Sequence, residues 1–341
     1  MTLKLRRILV TVHDTRRAPL AALRSAASIA RHTGAAIELF HVMDHESVAT
    51  TGESPESAQR RLERMARSAP LRGCRVRAGV ALGFPPHEQI VRRASASRAD
   101  LVVAGYHSRG PARRLFLRNT DWELIRYCPC PLLLVKTPRA YRRPAILVAV
   151  DPFHAHAKPA RLDDRLLSAG RELGRVLHGS VHAFHAYMPL VAAVEGPLGE
   201  PLVWESPTIE DVHGAQVRGS FDRLMEKAGI PRSRRHLVMG DVANELDLAV
   251  RRLRANIVVM GAVSRSGLKR LLIGSTAERV LDRLACDVLV VKPRGARVAH
   301  PARGARAAGT ARAAGMARAG RAGRAGRAKR AAAGRVAPAP A

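Results

Sequence analysis

The chain has 341 residues, 47% of them hydrophobic and 4% aromatic, with a formal net charge of +30. That length accommodates roughly two domains of about 150 residues each, and no apolar run reaches the ~18 residues of a membrane span. Twelve of the 58 basic residues lie in 294–341, where no acid occurs; 46 basic against 28 acidic residues remain in 1–293, so the body is basic as well.

Residues 6–12 (RRILVTV) form an apolar, β-branched run and predict a first strand rather than a signal peptide, so a cytoplasmic protein is expected. Pro19 to Arg31 places Leu20, Leu23, Ala27 and Ala30 at helical spacing, and Gly34 closes the helix. Ile37–Met43 predicts a second strand, Glu56–Ser68 a charged helix, Val76–Val80 a third strand and Pro85–Ser97 a helix opened by two prolines. Asp100–Ala104 predicts a fourth strand ending at Gly105, Asn119–Tyr127 a helix, and Pro131–Lys136 a fifth strand. Strands alternating with helices, each strand a continuous apolar run, argue for a parallel sheet covered on both faces.

Thr137–Pro144 (TPRAYRRP) is polar, basic and bracketed by prolines, and then the pattern restarts. Ala145–Val150 (AILVAV) echoes RILVTV, and is followed by a helix over Pro159–Leu177 and a strand over Ser180–Tyr187. Met188–Pro207 reads as a long connection rich in proline and glycine. A helix over Thr208–Ala228, a strand over Arg235–Met239, a helix over Asp241–Arg254 and a strand from Ile257 to Gly261 come next. Gly274-Ser275-Thr276 then opens a helix, and Val288–Val291 is the last strand. Gly105 and Gly261, Ser108 and Ser264, Thr120 and Thr276, Cys130 and Cys286, and Lys136 and Lys292 all differ by 156 positions. One constant offset across loop, helix and strand marks a duplicated domain. The expected boundaries are domain 1 at 1–138, a linker at 139–144, domain 2 at 145–293 and a basic tail at 294–341.

The cysteines are Cys74, Cys128, Cys130 and Cys286. Cys128-Pro-Cys130 lacks the spacing of a zinc site or of the Cys-x-x-Cys redox motif, and it reads as core packing. The histidines are scattered, and His182 and His185 alternate poorly for a metal pair on one strand face; no metal cluster is expected. No Gly-x-x-x-x-Gly-Lys-[Ser/Thr], His-Glu-x-x-His or Gly-x-Ser-x-Gly occurs. The carboxylates read as helix faces and caps, and no acid/base pair faces a reacting centre, so the chain is expected not to be an enzyme.

The stretch after the strand ending at Gly261 carries the chemistry. A glycine loop running into a helix N-terminus offers free backbone N–H groups to an anion. A plain helix N-cap would also explain Gly274-Ser275-Thr276. The spacing is Gly261-x-x-Ser264, nine residues, then Gly274-Ser275. Here the chain resembles the universal stress protein family, whose ATP-binding members carry Gly-x-x-Gly, nine residues, then Gly-Ser or Gly-Thr. The run GAVSRSGLKRLLIGSTAERVLDRLACDVLVVKP is similar to the second half of E-type tandem members, and TDWELIRYCPCPLLLVK is similar to their first half. The resemblance covers about residues 5–293.

It implies two tandem doubly wound, five-stranded α/β domains of Rossmann-like kind, packed as an internal pseudo-dimer, with homodimerisation a further option. It also implies ATP or another nucleotide-like ligand; the altered loop leaves a lipid or a large nucleotide conjugate as an alternative. Asp151 matches the acid that ends the first strand and contacts the nucleoside, and Ala186 matches the backbone beside adenine. Gly261, Ser264, Arg265, Gly274, Ser275 and Thr276 match the phosphate loop, with Ser264 in place of the family's second glycine. In the first copy Ser108, Arg118 and Asn119 replace Gly, Gly and Ser, and His13 stands in place of the acid, with Asp14 next to it.

The segment 294–341 is low-complexity Arg/Ala/Gly sequence, expected to be disordered when free. A dozen cations on such a segment favour sequence-independent, salt-sensitive binding to nucleic acid. The reading is a non-enzymatic stress-response protein that binds a nucleotide in domain 2, the alternatives being a nucleoid-associated protein acting through its tail and a weak ATPase.

Overall fold

The computed structural model describes residues 5–44, 48–49, 52–105, 119–152, 161–188, 192–195, 201–204, 207–262 and 275–293. Ser264, Arg265 and Gly274, the first-copy Ser108 and Arg118, and the tail lie outside them.

The first half runs β1 (Arg7–Val12), α1 (Leu20–Thr33), β2 (Ala36–Met43), α2 (Pro55–Ala66), β3 (Arg75–Leu82), α3 (Pro86–Ala96), β4 (Leu101–Gly105), α4 (Asn119–Tyr127) and β5 (Leu132–Val135). The second half runs β6 (Ala145–Ala149), α5 (Leu162–Val176), β7 (Ser180–Tyr187), β8 (Ala192–Glu195), β9 (Pro201–Trp204), α6 (Pro207–Ala228), β10 (Arg235–Met239), α7 (Val242–Leu253), β11 (Ile257–Gly261), α8 (Ser275–Arg283) and β12 (Asp287–Val291). The second-half segment read as a plain connection contains the antiparallel hairpin β8–β9. Its prolines and glycines signal turns, and four-residue strands are too short to show alternation.

The ends of the elements follow local rules. Gly34 closes α1 in the left-handed conformation at φ 70°, and its N–H reaches the Ala30 carbonyl. Ser54 caps α2 through the Ser57 N–H, and Asp241 caps α7 through the Asn244 N–H. In α5, Gly170 and Gly174 are spaced one turn apart and face the sheet. A Cβ on Gly170 would collide with Val148 Cγ2, and one on Gly174 would sit 2.5 Å from Val181 Cγ2. The two glycines therefore let α5 lie close against β6 and β7.

Apart from the β8–β9 hairpin, the strands within each half pair in parallel, in the orders β5-β4-β1-β2-β3 and β12-β11-β6-β7-β10. The two five-stranded sheets join edge to edge. β12 pairs antiparallel with β5, giving one ten-stranded sheet with the register Val288↔Leu134, Leu289↔Leu133 and Val290↔Leu132. Leu133 and Leu289 are repeat equivalents, so a pseudo-twofold axis passes between them. Pairing abolishes what would otherwise be two exposed apolar edges. Each face of the joined sheet carries a core with residues from both halves. Leu23 of α1 and Leu166 of α5 belong to one core, and Leu124 of α4 and Leu281 of α8 to the other.

Polar side chains tie the seam. The Lys136 ammonium donates to the carbonyls of Leu281 and Leu284 at the end of α8, the latter at 2.9 Å. Its equivalent Lys292 donates to the carbonyls of Arg126 (2.8 Å) and Cys128 (2.7 Å) at the end of α4. Each lysine thus caps the last helix of the other half, where a cation also meets the negative end of the helix dipole. Burial lowers both lysines, Lys292 to about 8.

Asp287, fully buried, accepts from the backbone N–H groups of Lys136 (2.8 Å) and Thr137 (2.9 Å), from the Thr137 hydroxyl (3.0 Å) and from the Tyr141 hydroxyl. Burial raises its carboxyl above the usual range, against the pull of those donors. The segment read as a polar linker is therefore clamped, with Tyr141 in the core. The reading of the carboxylates as helix faces and caps does not hold for Asp287, nor for Glu38, also buried, which accepts from Arg77 and Arg93.

Candidate functional site

In an open parallel sheet, ligands sit beyond the carboxyl ends of the strands, where the strand order reverses. In the second half that switch point falls between β6 and β11. The chain leaves β6 for β7 on one side, while β11 lies on the other. The sequence-predicted residues fall around it. Asp151 follows β6 by two positions, Gly261 is the last residue of β11, and Ala186 is the penultimate residue of β7. Ser275 and Thr276 open α8, the helix that leads from this edge to β12. Asp151, Ala186, Gly261 and the start of α8 therefore share one edge of one half.

The local structure explains their placement. The Asp151 N–H donates to Asp163 Oδ1 at 3.2 Å. Asp163 lies in the first turn of α5, where a carboxylate meets the positive end of the helix dipole. At Gly261 an added Cβ would lie 2.9 Å from Leu162 Cδ2, so backbone and α5 approach closely there. Ala186 is buried, and what it offers a ligand is backbone. The helix α8 is fixed from outside the site. Arg279 forms two 2.7 Å bonds to the carboxylate of Asp241, and Arg283 bonds Asn244. The Arg279 guanidinium, then the Asn244 N–H, holds the Asp241 carboxyl below its ordinary range.

Two histidines hold the carboxyl ends of the first strands, one in each half. His185, buried on β7, bonds the Val150 carbonyl through Nδ1 at 3.0 Å and stacks on Phe221, centroids 6.3 Å apart. His41, buried on β2, bonds the Val12 carbonyl at 2.8 Å. Each histidine thus fixes the carbonyl immediately before the first-strand position held by His13 in one half and Asp151 in the other. No sequence offset relates them, because their loops differ in length, and only strand register shows the equivalence.

The first-half edge is differently furnished. Asp14 Oδ1 accepts the Arg16 N–H at 2.8 Å, which makes a local turn. Buried Thr15 donates to Glu53 Oε1 at 2.6 Å, and Arg61 pairs with the same carboxylate. Asn119 opens α4. Where the second half ties α7 to α8 through Asp241 and Arg279, the first half stacks His87 of α3 on Tyr127 of α4 at 6.0 Å.

A cleft of about 670 Å³ lies elsewhere, between α5 and the end of α6, lined by Arg171, Arg175, Lys227 and Arg234 among others. It reaches Gly179 and Val181 at the amino end of β7, opposite the switch point. Its size does not outweigh the topological argument. Among the described residues no group of three or more His, Cys, Asp or Glu side chains could hold a metal ion, and no helix is long and apolar enough to cross a membrane.

Fold and edge together define a tandem, doubly wound α/β protein with a strand-end switch point in each half. The chain belongs to the universal stress protein family, whose model matches residues 4–136 and 143–292. It is similar to universal stress protein E of Escherichia coli (strain K12), 32% identical over 211 residues that cover 61% of this chain and 65% of that protein, just under two thirds of its length. It is also similar to universal stress protein E of Photorhabdus laumondii, 27% identical over 307 residues that cover 84% of this chain and 95% of that protein. Among solved structures, a protein of unknown function from Pseudomonas aeruginosa PAO1 superposes with a TM-score of 0.68 at 25% identity, covering 85% of this chain and 94% of that one.

Proposed function

We propose that the second half binds a nucleotide, ATP first among the candidates, and that the protein acts in the stress response as a non-enzymatic ligand-binding module. The observation that supports this reading is the meeting of Asp151, Ala186, Gly261 and the α8 N-terminus at one switch point. In that arrangement the Asp151 carboxylate accepts from ribose hydroxyls, and backbone at Ala186 hydrogen-bonds the base. The N-terminus of α8 supplies donors and a positive dipole end to phosphate oxygens. Ser264, Arg265 and Gly274 join them by sequence alone. The first half, with His13 in place of the acid and Glu53 beside Thr15, takes no nucleotide in this reading.

Titration calorimetry of the full chain with Mg²⁺ and ATP is the direct test. The expected result is heat that saturates at one nucleotide per chain and is weakened at least about tenfold by Asp151→Ala, the loss of roughly one charge-assisted hydrogen-bond partner. No heat with ATP, ADP or AMP would end the nucleotide reading.

A further inference from the structure

We infer that Cys128 and Cys130 form an oxidisable dithiol, a modification site for hydroperoxides built into the seam between the halves. The two sulfurs are in contact at 3.9 Å across the single residue Pro129. Cys128 is fully buried, whereas Cys130 is half-buried and so meets solvent. An outer sulfur that meets the oxidant and an inner sulfur touching it are the two parts such a site needs.

The comparison with the second half separates this pair from ordinary packing. The repeat offset matches Cys130 to Cys286 and Cys128 to Leu284, which is also fully buried. One thiol at the start of the last strand is therefore common to both halves. The second thiol replaces a core leucine in the first half alone. The solitary Cys286 is buried, and burial pushes its thiol up to about 12. The Cys128 thiol moves the other way. The hydrogen bond between the two sulfurs lowers it against the cost of burial and, with burial, holds Cys130 above its ordinary range, so Cys128 is the sulfur that attacks in the second step.

The chemistry balances without a further reactant. The Cys130 sulfur takes the distal oxygen of the hydroperoxide, the O–O bond breaks and the alcohol (water, for hydrogen peroxide) leaves. The Cys128 sulfur then attacks the Cys130 sulfenic acid, an S–S bond forms, the S–O bond breaks and water leaves. The pair loses two electrons to the O–O bond, and its two protons end on the departing oxygens. Contact between the sulfurs makes the second step effectively intramolecular. Closing 3.9 Å to the ~2.05 Å of a disulfide shifts the turn by about 2 Å. That turn carries the Cys128 carbonyl, to which Lys292 donates, so oxidation is felt across the seam.

The test uses the full chain, stoichiometric hydrogen peroxide, alkylation of remaining thiols and tryptic mass spectrometry. Cleavage after Arg126 and Lys136 releases Tyr127–Lys136, which holds this pair and neither of the other cysteines. The expected result is a peptide lighter by two hydrogens, restored by dithiothreitol, at doses that leave lone, half-buried Cys74 alkylatable. A Cys128→Ser chain is expected to stop at a Cys130 sulfenic acid that dimedone traps. Should that variant fold poorly, the wild-type peptide mass decides alone. Both thiols of the pair alkylated at doses that oxidise Cys74, or Cys130 driven to sulfinic acid with no internal disulfide, would overturn the proposal.

Discussion

At one register position the two halves make opposite choices. Leu9 of β1 faces Glu38 on β2, and Leu147 of β6 faces His182 on β7. Glu38 is buried and pairs with Arg77 and Arg93. His182 instead meets His236, with Nδ1 and Nε2 3.1 Å apart and rings stacked at 5.3 Å. Burial, and then the charges of His236 and Arg234, lower the His182 pKa; burial and Arg252 lower that of His236. The same backbone therefore hosts an ion cluster of one carboxylate and two guanidiniums in one half and a neutral imidazole pair among arginines in the other. A duplicated fold constrains strand order and apolar positions, and it leaves polar positions free to diverge. The carboxyl ends of the strands show the same freedom: Glu53 fills out the first half, and Asp151 stands at the switch point of the second.

The largest expected effect lies where the halves are least alike. Asp287 matches Pro131 by the repeat offset, so its clamp on Lys136, Thr137 and Tyr141 has no counterpart. Asp287→Ala leaves several buried donors without an acceptor and is expected to cost about 3 kcal/mol in urea unfolding. A cost below ~1 kcal/mol would show that the linker is loosely held. Next comes helix packing. α1 covers its strands with the buried alanines Ala26, Ala27 and Ala30, whereas α5 uses Gly170 and Gly174. Gly170→Ala drives a methyl into Val148, a stiff β-branched side chain, and is expected to destabilise by about 2 kcal/mol. A neutral or stabilising result would mean that α5 stands off the sheet.

The seam lysines are where the halves are most alike. Lys136→Met and Lys292→Met are each expected to cost about 1–2 kcal/mol, because each leaves helix-end carbonyls without a donor. A large loss for only one would break the pseudo-symmetry. The smallest effect is in the pH dependence. Between about 8, where the buried Lys292 ammonium titrates, and its ordinary 10.5, the folded chain holds fewer protons than the unfolded chain at this site. Its contribution to stability therefore rises with pH across that window. The buried Cys286 thiol, at about 12, acts in the opposite sense above pH 9, so the difference between wild type and Lys292→Met isolates the lysine. That difference is expected to shift in favour of wild type from pH 8 to 10, and an unchanged difference would place the ammonium in solvent.

Much of this was legible in the sequence. Apolar runs such as LVVAG and IVVMG, buried on both faces, gave the parallel strands, and a constant offset gave the duplication. The seam was not legible. Pro131–Lys136 and Val288–Val291 read as buried strands, and nothing local tells a parallel neighbour from an antiparallel one. Lys136 and Lys292 were visible as repeat equivalents, but the carbonyls they cap belong to the other half. The partners of Glu38, His182 and His185 were not legible, because they follow from register across strands. Of the proposed site, Asp151 and Ala186 came from the family resemblance and Gly261 from the loop spacing, and the fold brings all three to strand ends, where a parallel sheet gathers its ligand contacts.

Hydrogen exchange of the full chain with and without Mg²⁺ and ATP tests the difference between the halves most directly. The account predicts slower exchange at the carboxyl ends of β6, β7 and β11 and at the start of α8, with β1, β2 and β4 unchanged. Equal protection at the first-half strand ends, or none in either half, would contradict it.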